Sequence, residues 1–142
     1  MTRLLTFIAV ALVATVGTVI GLMSVYLPGV SIGEVLMSTS VVNKLCLMLA
    51  VALGVVGIIG ALSRSAVLAR ITAGAGFLIG LLGAAFAELM SQMTIAAIGP
   101  VSFAVTAPAR VESLTSLALG LGVALASLGL LRLRSSRPER VV

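Results

Sequence analysis

The chain has no histidine and no tryptophan, one cysteine, one tyrosine, and few charges. Each scarcity excludes something. Without histidine there is no ordinary general base and no zinc site, and the lone Cys46 allows no disulfide within the chain. Nucleophilic and metal-assisted chemistry both lack their parts, so the sequence does not predict an enzyme and calls for no cofactor or metal. With aromatic residues at 4%, the usual interfacial belt of Trp and Tyr is reduced to little more than Tyr26. Charged residues make up 9% of the 142, far too few to clothe a water-soluble domain of this length.

What is there in their place is apolar, at 61% of the residues. Four stretches are long enough for the roughly 20 helical residues that a bilayer demands. They run over about 4–27, 45–62, 71–95 and 114–131. The expected fold is therefore all-α: one integral membrane bundle of four transmembrane helices. A basic tail, 132–142, follows it. The third span carries one charge, Glu88, between Ile71 and Ile98, and its end falls somewhere between Met90 and Ile98. The first span begins after Arg3 but exceeds twenty residues and has no small-x-small site before Pro28, which favours an uncleaved helix over a signal peptide. Pro28, Pro100 and Pro108 mark connections, and Pro138 lies in the tail.

The net charge of +5 is distributed by side and gives no footprint for nucleic acid. With four crossings, Arg3, Arg64, Arg70, Arg132, Arg134, Arg137 and Arg140 share one side, and Lys44 and Arg110 the other. The positive-inside rule then places both termini in the cytoplasm of a cell membrane, read as a bacterial inner membrane. Glu34, Glu88 and Glu112 fall on or toward the outer side. The inner connection, Ser63–Arg70, makes a tight antiparallel hairpin. The outer ones, Pro28–Lys44 and Ser91–Glu112, are longer. In the first of these, Ile32, Val35, Leu36, Thr39 and Val42 fit the stripe of a short interfacial helix.

Small residues recur at helical spacing in every span. The clearest stripe is Thr72, Gly76, Gly80, Ala84, Glu88 and Gln92, one residue in four. Gly17 and Gly21 mark span one, Gly54 and Gly57 span two, and Gly120 span four. Faces of this kind let helices approach closely in lipid, within one chain or between subunits. Glu88 has two readings. If span three ends near Met90, the carboxylate sits solvated at the interface. If the helix continues to Ile98, it lies inside the membrane, where acids mark function, and pairs with Lys44 or Arg110 or takes up protons.

The segments Gly80-Leu81-Leu82-Gly83-Ala84, Ala107-Pro108 to Glu112, and Ser113-Leu114-Thr115-Ser116 resemble the MotA/TolQ/ExbB family of ion-driven motor subunits. The resemblance covers about 50 residues and implies a pentamer around a single-span partner, with protons passing between them. Glu88, Gln92, Ser113, Thr115 and Ser116 are the candidate path. Family members carry a substantial cytoplasmic domain, whereas the inner loop and tail here are short. Three functions are thus in view. The first is a small polytopic subunit that packs through its small-residue faces, as a homo-oligomer or with other membrane subunits. The second is an ion- or proton-conducting subunit of the MotA/TolQ/ExbB type. The third is a small dimeric transporter, for which the aromatic content is low.

Overall fold

A computed structural model of the chain describes residues 2–63, 65–99 and 101–135. Arg64, Pro100 and the tail from 136, with Arg137, Pro138 and Arg140, lie outside the described residues. The fold is all-α, with no strand among the described residues. The helices are α1 (Thr2–Tyr26), α2 (Ile32–Ser38), α3 (Val41–Leu62), α4 (Ala66–Ile98) and α5 (Phe103–Ser135). All but α2 are long and apolar enough to cross a membrane.

Local chemistry sets the helix starts. The Ser31 hydroxyl accepts the Glu34 N–H at 3.2 Å while the Glu34 carboxylate accepts the Ser31 N–H at 2.7 Å, a reciprocal cap on α2. Ser40 caps α3 by accepting the Asn43 N–H, and Ser65 caps α4 by accepting the Leu68 N–H. Within the helices, the hydroxyls of Thr15, Thr18 and Thr115 donate to carbonyls one turn back, so polar side chains in an apolar setting stay satisfied.

Several boundaries differ from the sequence reading: α3 starts at Val41 and α4 at Ala66, inside the expected connections, and α5 runs to Ser135, into the expected tail. The outer connection expected over Ser91–Glu112 is largely helix: α4 runs on to Ile98 and α5 starts at Phe103. Nothing before Gly99 stops α4. Gly99 does, at φ +87°, a conformation that side chains with a Cβ rarely adopt. Pro108 is inside α5, not in a connection. It is the sixth helical residue, so the bond it removes is the one that the exposed Ala104 carbonyl would have accepted, close to an end where carbonyls and amides are already being handed to solvent.

α5 is the hub. α4 and α3 pack on it and on each other, whereas α1 packs on α5. α2 lies over the α1–α5 contact, where Val19, Val35 and Val111 form a small buried cluster. What is buried is mostly small: Ala50, Ala61, Ala69, Ala73, Gly80, Ala107 and Ala124. The large side chains point outward, among them Phe7, Val13, Ile20, Met48, Leu78 and Leu82. Apolar surface turned out, with a core of Ala, Gly and Ser, is the arrangement expected where lipid replaces water and helices gain by close approach.

The charges fix levels along the bundle. On α4, Arg70 and Glu88 bracket an uncharged run about 27 Å long at 1.5 Å per residue. On α5, Glu112 and Arg132 bracket one of about 30 Å. Both match the hydrocarbon thickness of a bilayer, ~30 Å. Beyond Glu88 and Glu112 the α4–α5 hairpin continues for roughly 15 Å. Its start on α5 meets the end of α1, where the Tyr26 and Phe103 rings lie 4.9 Å apart between centroids. Leu4 and Leu128 line one common cleft, so the first residues of α1 and the last of α5 share the arginine end of the molecule.

Candidate functional site

The polar groups of the bundle collect at the opposite end, where Lys44, Glu88, Arg110 and Glu112 mark the limit of the uncharged runs. They form two clusters. Arg110 and Glu112 are two residues apart and therefore about 200° apart around α5, so each cluster takes a different side.

The first cluster is inside. Asn43, in the first turn of α3, is fully buried. Its amide Nδ2 donates to Glu112 Oε1 at 2.7 Å, and its Oδ1 accepts the Ser116 hydroxyl at 2.9 Å. One amide thereby ties α3 to two successive turns of α5. Gly83 of α4 closes the third side: a Cβ there would stand 2.9 Å from Asn43 Oδ1 and 3.2 Å from Ser116 Cβ. The Ser113 hydroxyl donates to the Ala84 carbonyl at 3.0 Å, a further bond between α5 and α4. Among the described residues, Glu112 has no cationic partner.

Glu112 also lines a cavity of about 160 Å³ with Ser40, Ser91 and Thr94. That space is large enough for several waters. The Ser91 hydroxyl is buried there without a hydrogen-bond partner. Phe86, Ala87, Met90 and Ala109 form the rest of its wall, so the site is a mainly apolar cavity with one carboxylate and an unpaired buried Oγ, groups that can hold water or a proton.

The second cluster is at the surface. Glu88 Oε2 and Arg110 Nη1 are 2.5 Å apart, and the Gln92 amide donates to Glu88 Oε1 at 2.8 Å. Both charged side chains are about one-third exposed. Although α4 continues to Ile98, Glu88 sits at the level where the uncharged run ends, with a cation on it. Lys44, the other cation at this end, instead donates to the Met37 carbonyl at 2.7 Å.

The residues of the expected path are thus divided. Glu88 and Gln92 belong to the ion pair, Ser113 and Ser116 to the inner contacts, and Thr115 to neither, since it donates to Val111 O in its own helix and faces a cleft with Leu36 and Leu47. The glycines are divided as well. Gly80 and Gly120 bring α4 and α5 into backbone contact: a Cβ on Gly80 would lie 2.7 Å from both Gly120 Cα and Ser116 O. Gly76 faces Val123, Gly54 faces the same side chain from α3, and Gly57 is filled by Ser127 and Thr72. Ala84 is buried beside them. Gly17 and Gly21 are outside this packing, with nothing within 4 Å of an added Cβ.

Sequence reasoning passed over Asn43. Its signal was present: the small-residue face Ala50–Gly54–Gly57–Ala61 of α3, carried back two turns, lands on position 43. No family model, curated protein or solved structure matches the chain.

Proposed function

We propose that the chain is a small polytopic membrane subunit, with both ends in the cytoplasm, that assembles with further copies or with other membrane subunits through the free face of α1. One observation carries this reading. α1 has a single buried residue, Val19, in 25, and it presents the one-turn pair Gly17 and Gly21 to open space, while Gly54 and Gly57 of α3 and the one-turn pair Gly76 and Gly80 of α4 are filled within the chain; Gly74, Gly122 and Gly129 are open too, but none has a second open glycine one turn away. Small residues without a neighbour are surfaces on which a further helix fits closely. The test is oxidative cross-linking in native membranes, with Cys46→Ser as background. Gly21→Cys is expected to give a cross-linked species, and Leu78→Cys, exposed on α4, is not. A 14.3 kDa monomer in mild detergent, with no cross-link from either position, would overturn the proposal.

A second reading is favoured by the inner cluster. Among the described residues Glu112 lacks a cation and opens on a cavity that also holds the unpaired Ser91 hydroxyl, which supports passage of a proton in the manner that the MotA/TolQ/ExbB resemblance implies. Flux into proteoliposomes that falls in Glu112→Gln and survives in Glu88→Gln supports this reading. Flux equal to that of empty liposomes removes it.

A further inference from the structure

On the arginine side of the bundle, between α1 and α4, lies a cleft of about 700 Å³. Its walls are Leu4 and Phe7 of α1, Phe77 of α4, and Leu121 and Leu128 of α5. It exists because α1 leans on α5, and because α4 presents a glycine to it. A Cβ added at Gly74 would meet nothing within 4 Å.

The lining is apolar except for one cation, Arg70, which stands one turn before Gly74 on α4. Arg70 is exposed and has no hydrogen bond or ion pair among the described residues. The glutamates of the described residues, Glu34, Glu88 and Glu112, belong to the α2 and outer-hairpin end, so none neutralises it. Arg132 and Arg134 add charge of the same sign in the last turn of α5. The wall from Leu121 to Leu128 is about 10 Å long, two-thirds of the ~15 Å depth of one hydrocarbon leaflet.

An apolar slot of that length, open to lipid and headed by an unneutralised guanidinium at the level where the uncharged run begins, has the shape of one kind of ligand. We propose that this cleft binds an anionic phospholipid, with one acyl chain between Phe7 and Phe77 and the headgroup phosphate on Arg70. The guanidinium fork takes phosphate oxygens in pairs. A zwitterionic lipid offers the same phosphate but brings a second cation to a mouth that is already positive, which is the source of the selectivity.

The test is native mass spectrometry of the full chain released from nanodiscs of equal phosphatidylglycerol and phosphatidylcholine with matched acyl chains. The wild type is expected to retain one lipid, with phosphatidylglycerol favoured about fivefold, the weight of one arginine near an anionic surface. Arg70→Gln is expected to keep the occupancy and lose the preference. Gly74→Leu places its Cβ in open space and its branch in the slot, and is expected to lose both lipids, with an unchanged unfolding midpoint showing that the bundle is intact. Equal retention of the two lipids by the wild type, or an unaltered ratio in Arg70→Gln, would overturn the proposal. So would retention of no lipid with Gly74→Leu changing the oligomeric mass, since the occupant is then a protein helix.

Discussion

The contact of α5 with α4 and its contact with α1 are built from different material. α4 and α5 meet backbone to backbone at Gly80 and Gly120, and Ser113 adds a hydrogen bond to the Ala84 carbonyl. α1 meets α5 through side chains, Val19, Leu22 and Met23 against Val111 and Leu114, with no hydrogen bond between them among the described residues. The first joint depends on the absence of atoms and tolerates no additions. The second depends on apolar bulk of a kind that lipid also offers, so it contributes less to holding the chain together. The lesson is that a glycine stripe says little until the neighbour is known. Gly76–Gly80 and Gly17–Gly21 have the same spacing, yet one pair is filled and the other is bare.

The largest effect that separates the two joints is steric. Gly80→Leu drives a side chain into Gly120 Cα and Ser116 O and is expected to lower stability by about 3 kcal/mol or more, read as unfolding in bicelles. Gly21→Leu, in open space, is expected to stay within ~0.5 kcal/mol of the wild type while weakening any assembly through α1. Similar losses from the two substitutions would abolish the distinction.

Next in size is the polar tie, which α1 lacks. Asn43→Ala leaves Glu112 and Ser116 without their shared partner and is expected to cost about 1–2 kcal/mol in the same measurement. A loss no larger than that of a lipid-facing Met48→Ala would show that the tie adds nothing to close packing.

The smallest effect concerns α2, which links α1 to the rest. The Ser31 backbone N–H, and then its hydroxyl, hold the Glu34 carboxyl below the ordinary glutamate range. The folded-state pKa is depressed, so the cap's contribution is fully present above the ordinary value and is lost as pH falls through the lowered one. A carbon-13 titration of the Glu34 carboxyl should therefore have a low midpoint. Ser31→Ala should move it only part of the way up, because the backbone donor remains. The Gly80–Gly120 approach, which contains no ionisable group, should not respond across this interval.

Much of the architecture was legible because lipid imposes a simple rule on composition. Four apolar runs gave four long helices, and the first part of the stripe at 32–42 gave α2, which ends at Ser38, whereas Val42 lies in α3. The ends of α4 and α5 were not legible, because charges record where hydrocarbon stops and not where a helix does. Past Glu88 the sequence still favours helix, and the backbone turns only where Gly99 permits a positive φ. Pro108 looked like a break because proline breaks helix interiors, yet near a helix start it removes a single bond. Asn43 was hidden by its position at the head of a span beside Lys44, where a polar residue reads as interfacial. Only the register of α3 against α5 turns it inward onto Glu112 and Ser116.

The uncharged lengths of the helices have a mechanical consequence. α4 and α5 carry about 27 and 30 Å between their charges, whereas α1 is uncharged from Leu4 to Tyr26, about 33 Å. No single bilayer suits all three upright, and a helix longer than the hydrocarbon relieves the mismatch by tilting. The joint that yields is the one made of apolar bulk. Tilting of α1 is thus the response expected in a thinner membrane, and a change in the width of the slot beside Arg70 is expected with it.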